Sequence, residues 1–409
     1  MTVNFFEYVG ETSAKKVSEK LRAMIDQPDE LTRLRQYLID NNADFNRDLF
    51  VSFFEQNLAE RKGAKQDYTP TEVANLMWNI QDVESAKSVY DPTGGTGSLL
   101  INALETDKEV NYNELDDEAY EFAKLNALLR NKTVDNYHLG DALNIEDGKQ
   151  FDLIIANPPY SIPYKPNDYN FTLFERAGKK APKSKADYAF IAMIVDRLKD
   201  TGSASVLLPH GVLFRGSAEG KLREQLIKNN YLDAVIGLPD NLFFGTGIPT
   251  VLLILKKQRD RQDILFIDAS KGFQKNKQVN VLTEEYQNKI IETYHARHDV
   301  DKYAHVTTLK EIEENDFNLN IPRYVDTFEP EPRIDLDENS RQLIEVNRQI
   351  GIYESELFDM EGQIIQTNTG DPVEEEEILK KMSLLISLWE QRGEILRQRK
   401  QAFLQRMFV

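Results

Sequence analysis

The tetrapeptide Asn157-Pro158-Pro159-Tyr160 gathers a side-chain amide, backbone carbonyls and an aromatic face within four residues. Such groups can accept hydrogens from a planar ligand and stack on it, so the tetrapeptide is taken as the candidate catalytic centre. The apolar run before it, Phe151 to Ala156, reads as a buried strand. Two consecutive prolines cannot extend a ladder, because each lacks an N–H and has φ fixed. The strand therefore stops at the carboxyl edge of a sheet, where open α/β folds bind ligands. A strand-ending turn with a surface tyrosine is the plainer reading of these four residues alone.

Three further stretches have the types and order to serve a ligand at the same edge. Ser88 to Leu100 reads as strand, Gly-rich turn and helix start, and contains Asp91, Thr93, Gly94, Gly95 and Gly97. Glycines let the backbone turn tightly and approach a ligand, and such loops serve nucleotides, dinucleotides and S-adenosylmethionine alike. A second strand, Val110 to Asn113, ends in Glu114, an acid placed to accept both hydroxyls of a ribose. A third, near Tyr137 to Gly140, ends in Asp141 with Ala142 behind it. That carboxylate can accept the amino group of an adenine whose faces Leu115 and Leu143 cover. Singly, each acid reads as a solvated strand end. Acids closing three successive strands, ahead of a tetrapeptide closing the fourth, are far less expected by chance.

The elements that must position these residues follow from periodicity. Apolar residues three and four apart, from Leu21 to Leu58, predict a helical domain over 1–66. Thr69 as N-cap and Pro70 as first residue predict a helix to about Ile80, whose free N–H groups suit a carboxylate. Residues 67–334 alternate strands and helices. Helices are expected over Glu118 to Arg130, Tyr188 to Leu198 and Leu222 to Ile227. Strands are expected over Ala204 to Pro209, Ala234 to Leu238, Thr250 to Leu255 and Ile264 to Ile267, with irregular connections after them. Between Tyr160 and Asp187 the chain is polar and locally basic, either a loop near the active site that touches phosphate or a solvated mobile loop. Phe243 and Phe244 are either a core anchor or a face for a base. Leu336, Leu343, Ile350, Leu357 and Ile364 form a heptad, and a second apolar line runs from Ile378 to Phe403. A helical hairpin over 335–409 follows, either seeking helices of a partner or closing on itself.

Composition narrows the function classes. With 409 residues the chain suggests two or three domains. No cysteine and five scattered histidines exclude disulfides and thiolate nucleophiles and predict no structural metal. No apolar run approaches the roughly 20 residues of a bilayer span, and no signal-peptide core opens the chain, so a cytoplasmic protein without membrane association is expected. The formal charge of −18 is opposite to the basic footprint of a chain that grips nucleic acid unaided. Either nucleic acid is not the substrate, or a partner supplies much of the grip.

With these residues in hand, the chain resembles the N6-adenine DNA methyltransferases, and within them the modification subunits of type I restriction-modification systems. The resemblance covers nearly the whole chain. It rests on Tyr68-Thr69-Pro70, on DPTGGTGSLL at 91–100, on the tetrapeptide at 157–160, and on the segments at 187–191, 207–214 and 238–257. It implies an α/β, Rossmann-like S-adenosylmethionine-dependent methyltransferase sheet with an N-terminal helical domain and a C-terminal helical hairpin. It further implies S-adenosylmethionine as cofactor and a flipped-out adenine of double-stranded DNA as substrate. Asn157 and the Pro158 carbonyl would accept the amino hydrogens, and Tyr160, placed by Pro159, would stack the base. Gly94, Gly95 and Gly97 would let the backbone approach the methionine part, with Asp91 ordering the loop and Thr93 assigned to the cofactor beside them; Glu114 would hold the ribose, and Asp141 with Ala142 the adenine. Tyr68, Thr69 and Pro70 are likewise assigned to the cofactor, the last two closing over its carboxylate. The family's DNA reader is a separate specificity subunit held through the C-terminal helices, in complexes that can hold a second modification subunit and a restriction subunit. Two departures stand out. Gly94 occupies a position where the family usually has a small residue or cysteine, and the stretch ahead of Tyr68 is shorter than usual.

Two rival readings use the same residues. A protein-glutamine N5-methyltransferase would present a comparable planar amide, but it has no use for the heptad hairpin. An assembly scaffold with a silent fold would not need Asp91, Glu114, Asp141 and Asn157 intact.

Overall fold

The computed structural model describes residues 69–327, apart from 130–131, 133, 146, 244–246 and 277–278, together with stretches of 340–401. The expected helical domain over 1–66, Tyr68, Phe244 and most of the second hairpin helix lie outside the described residues. Two compact units divide the chain, Met1–Thr327 and Phe328–Val409.

The described strands of the first unit are β1 (Ser88–Asp91), β2 (Glu109–Glu114), β3 (Asn136–Leu139), β4 (Phe151–Ala156), β5 (Leu198–Pro209), β6 (Leu232–Gly237), β7 (Thr250–Lys256), β8 (Ile264–Asp268), β9 (Gln274–Lys275), β10 (Asn280–Val281) and β11 (Ala304–Thr307). Nine of them form one sheet in the order β11-β8-β6-β7-β5-β4-β1-β2-β3. Pairing from β3 through β5 is parallel, and β7 runs antiparallel between β5 and β6. From β1 the chain first winds outward to β2 and β3, then returns to lay β4 and β5 on the other side. The carboxyl ends of β1 and β4 are thus neighbours whose following segments diverge, which opens a crevice at that edge.

Helices cover both faces of this sheet: α1 (Thr71–Asn79), α2 (Ile101–Leu104), α3 (Asp117–Leu129), α4 (Thr172–Ala177), α5 (Asp187–Arg197), α6 (Ser217–Lys228), α7 (Glu284–Ala296) and α8 (Leu309–Glu314). Double coverage explains the apolar runs of the central strands, at 153–156, 206–208, 234–236 and 251–255. Within β4, Leu153 and Ile155 join one core with Val73, Leu76 and Met77 of α1, while Ile154 and Ala156 join the other with the apolar residues of α5. Side chains of a strand alternate between faces, so one sequence serves two cores. Helix α1 is also tied to β5 by polar bonds. The Gln81 amide donates to Ser205 Oγ (2.6 Å) and accepts from Ser203 Oγ (2.7 Å), and Ser205 Oγ donates to the Met77 carbonyl (2.9 Å).

Four expectations are corrected. Thr69 does not cap α1: the N-cap position belongs to Pro70, with no side-chain cap bond, and the Thr69 hydroxyl is used elsewhere. The segment after the tetrapeptide is not a solvated loop, because Leu173, Phe174 and Ala181 are buried and anchor it to the core. Its lysines dominated the charge pattern while these apolar anchors carry its packing. The stretch after β8 is not irregular: it holds α7, α8 and β11. Helix α8 opens with a full capping box, Thr308 and Glu311 each bonding the other's backbone N–H. Lastly, Phe243 is 5% exposed within the core, which makes it an anchor rather than a face for a base.

In the second unit residues 340–352 are helical. Leu343, Val346 and Ile350 are partly covered at heptad spacing, whereas Ile344 and Ile352 are exposed. Among the described residues of the chain, no helix is long and apolar enough to cross a membrane.

Candidate functional site

Register places the ends of β1 and β4 side by side, with Val89 opposite Leu153 and Tyr90 opposite Ile154. After Asp91 the chain turns through the Gly-rich loop, and Gly97 takes φ +83°, which favours glycine. Gly94 is required for a different reason. A Cβ there would lie 2.2 Å from the ring of Tyr112, and the Tyr112 hydroxyl donates to the Gly95 carbonyl. The first glycine of the loop is therefore the counterpart of a tyrosine on β2.

The three strand-end acids all meet this loop or the turn beside it. Glu114 accepts from the Gly95 N–H (2.8 Å) with one carboxylate oxygen and from the Leu115 and Asp116 N–H groups (2.7 and 2.9 Å) with the other. Burial raises its pKa, against the lowering effect of those three donors. Asp141 accepts from the Leu143 N–H (2.9 Å), which caps the short 3-10 turn Ala142–Asn144, and from the Tyr169 hydroxyl (2.6 Å). Burial, the bond to Asp141 and its charge push the Tyr169 phenol up to about 12. Asp91 is fully buried and spends one oxygen on the Thr93 N–H (3.1 Å). Its burial drives its pKa well above the usual carboxylate range. Its second oxygen, Thr93 Oγ1 and Asn113 Oδ1 are buried without a hydrogen-bond partner. Buried acceptors left open in this way are the places where a ligand's donors would be held.

At the end of β4, the Asn157 amide is gripped from both ends. Its Nδ2 donates to Thr69 Oγ1 (2.9 Å) and its Oδ1 accepts from the Tyr160 hydroxyl (2.8 Å). Tyr160 is 9% exposed, and burial raises its phenol pKa. The plainer reading of a surface tyrosine does not hold: the ring is turned inward, with its hydroxyl committed to the neighbouring amide.

A single cavity of about 650 Å³ joins these parts. Thr93, Gly94, Gly95, Glu114, Asp141 and Ala142 line one end, and Thr69, Asn157 and Pro159 line the other. Leu115 and Leu143 also line it. Pro70, Asp91, Gly97, Pro158 and Tyr160 are not in its wall. Lys165, one of the basic residues counted in the segment after the tetrapeptide, lines the cavity, and the structure adds Tyr164 and Tyr169, which that charge counting concealed. Their signal was the aromatic spacing: Tyr164 and Tyr169 stack at 6.0 Å, and Tyr169 and Phe171 at 6.4 Å. The volume lies within the roughly 300–1,000 Å³ of small-molecule sites. Backbone N–H groups, acids for hydroxyl and amino donors, and apolar covers for a purine fit a nucleoside carrying a charged tail.

Comparison with known proteins agrees with this arrangement. The N-6 DNA Methylase family matches residues 46–332. The type I restriction enzyme MpnII methylase subunit of Mycoplasma pneumoniae is 30% identical over 347 residues, covering 78% of this chain and 63% of that protein. The MjaVII methylase subunit of Methanocaldococcus jannaschii is 32% identical over 324 residues, covering 71% and 54%. The chain thus spans only about half to two thirds of the length of these two relatives. Among solved structures, the methyltransferase subunit of a type I restriction-modification system from Streptococcus thermophilus is 40% identical. It superposes with a TM-score of 0.63 over 68% of this chain and 63% of its own.

Proposed function

This chain belongs to the N-6 DNA methylase family, and from that premise we propose that it methylates the N6 amino group of adenine in DNA as the modification subunit of a type I restriction-modification complex. One observation carries the reading: the Glu114 and Asp141 carboxylates and the Asn157 amide share one cavity. Bound there, S-adenosylmethionine supplies an electrophilic methyl group.

The residues of the chain do the rest by position. Adenine N6 is a poor nucleophile because its lone pair is delocalised into the ring. Asn157 Oδ1 and the Pro158 carbonyl accept its two hydrogens and favour a pyramidal nitrogen with its lone pair free. An amide oxygen has two lone pairs, so Oδ1 can serve the amino group while it keeps the Tyr160 hydroxyl. The surplus proton then leaves to solvent. Orientation of this kind supplies up to about 7–11 kcal/mol in good intramolecular models. Glu114 keeps one lone pair, on Oε2, for a ribose hydroxyl beyond its three backbone donors, and Asp141 can receive an adenine amino group beside Tyr169. Thr93 and Asn113, whose oxygens lack a partner, are assigned to the amino-acid part, while the Gly95 N–H stays with Glu114. The target base must leave the duplex, at a cost of about a few kcal/mol. Stacking on Tyr160 requires the entering base to uncover that ring. The exposed Lys165 at the cavity, with Lys179 and Lys183 on the same segment, is assigned to phosphate.

The test is methyl transfer from labelled donor by the chain copurified with the DNA-specificity subunit of its own system, in the cytoplasm of its host. N6-methyladenine in DNA is the expected product. Label in protein would favour glutamine methylation, and donor binding without transfer would favour a scaffold.

The net charge of −18 fits a division of labour in which a second chain reads the DNA. We assign residues 1–66 to a helical domain, 67–334 to catalysis and 335–409 to assembly. Removing 335–409 is expected to abolish copurification with the specificity subunit while donor affinity stays within about threefold. A truncated chain that still copurifies would refute the assembly role.

A further inference from the structure

Immediately after the tetrapeptide, Ser161 adopts φ +51°, a left-handed conformation that side chains with a Cβ disfavour. It is held there by one carboxylate. The Ser161 N–H donates to Asp187 Oδ1 (2.7 Å) and its hydroxyl donates to Oδ2 (3.0 Å). Asp187, the first residue of α5, is wholly buried. A buried carboxylate needs a cation, and Arg215 supplies it through Nη2. Arg215 is itself fixed by Glu219 of α6, at 2.7 Å from Nε and 2.9 Å from Nη2. Arg223 then donates to the Arg215 carbonyl (2.9 Å) and closes the chain of bonds. Three segments that had no chemical role of their own thereby converge on the residue after Tyr160.

We propose that Asp187 and Arg215 are positioning residues, which lock the left-handed turn at Ser161 and so fix the direction in which Asn157 and Pro158 leave β4. The inference rests on the functional reading above. Both prolines have fixed φ, so few soft torsions lie between the end of β4 and Ser161. Pinning Ser161 therefore pins the two acceptors. Charge-assisted bonds to both Ser161 donors offset the conformational penalty of its Cβ.

Three variants of the reconstituted complex test this by single-turnover methylation: Ser161→Ala, Ser161→Gly and Asp187→Asn. Alanine keeps the Cβ and loses the hydroxyl bond, whereas glycine accepts this φ unaided. Ser161→Gly should therefore be at least about fivefold faster than Ser161→Ala. Asp187→Asn should be slowed about 10- to 100-fold with donor affinity within about twofold, and adding Ser161→Gly to it should restore most of the loss. A merely structural role would lower thermal stability and donor affinity together, with no recovery from glycine. Hydrogen exchange of residues 157–165, read without donor or DNA, provides a measure independent of activity. Exchange should be slow in the wild type and in Ser161→Gly, and at least about tenfold faster in Ser161→Ala and Asp187→Asn. Equal exchange in the alanine and glycine variants, or equal rates, overturns the proposal. An inactive wild type with this exchange pattern would overturn only the functional reading.

Discussion

Asn157→Ala is expected to bind S-adenosylmethionine within about threefold of wild type and to methylate adenine at least about 10²–10³-fold more slowly. Loss of one preorganised hydrogen-bonding partner of a reacting group costs about 2.7–4 kcal/mol in comparable sites. Donor affinity is expected to survive because most of the residues proposed to hold the donor, the Gly-rich loop, Glu114 and Asp141, follow β1, β2 and β3, whereas Asn157 follows β4. Single-turnover transfer of labelled methyl and calorimetric titration of the donor separate the two quantities. Turnover above about a tenth of wild type would remove Asn157 from the mechanism. Thr69→Val refines the point, because Thr69 Oγ1 receives the Asn157 Nδ2 hydrogen. Removing one such bond costs about 1 kcal/mol, or about fivefold in transfer, if Thr69 steadies the amide. If it serves only the donor, binding weakens instead and the rate at saturation is kept.

Gly94→Ala is expected to raise the donor Kd at least about tenfold and to destabilise the fold by about 1–3 kcal/mol, the usual cost of overpacking. The new Cβ would lie 2.2 Å from Tyr112 Cε2. Tyr112 is fully buried, with Tyr137 at 5.5 Å and Tyr120 at 6.1 Å between ring centroids, so its ring cannot swing aside. The loop must move, and the Gly95 N–H then loses Glu114. Coupling is the decisive measurement. In a Tyr112→Val background the alanine should add little further loss of affinity, whereas a clash that is not the cause predicts additive effects. This pairing also accounts for the glycine at 94: the space a side chain would need is taken by Tyr112 of β2.

How much of this was legible in the sequence follows from the range of the interactions. Strands β4 to β8 announced themselves through apolar runs that suit a sheet covered on both faces, although the polar first half of β5, residues 198–203, did not. The acids announced themselves because each closes a strand, a local fact. Helix α8 was legible too, through Thr308 and Glu311, although the stretch reads as irregular when only apolar periodicity is sought. What stayed hidden were side-chain partners chosen by tertiary contact. Thr69 looks like a cap until Asn157, 88 positions on, offers a better partner. Tyr160 looks like a surface ring until its hydroxyl finds the same amide, and Tyr169 looks like part of a basic loop until Asp141 claims it. No periodicity encodes those choices, since they depend on which strand ends the sheet order makes adjacent.

The polar ties between α1 and β5 have a consequence for synthesis. Gln81 and Met77 bond serines that lie 122 to 128 residues downstream. At about 5–20 residues per second, α1 leaves the ribosome roughly 6 to 25 s before its partners exist. During that interval Val73, Leu76 and Met77, completely buried in the finished molecule, have no sheet to cover them. The nascent chain must be sheltered or must wait as a short amphipathic segment. Thr69, at the head of the same helix, can reach Asn157 only after β4 has been made, so a half-synthesised chain carries no working site.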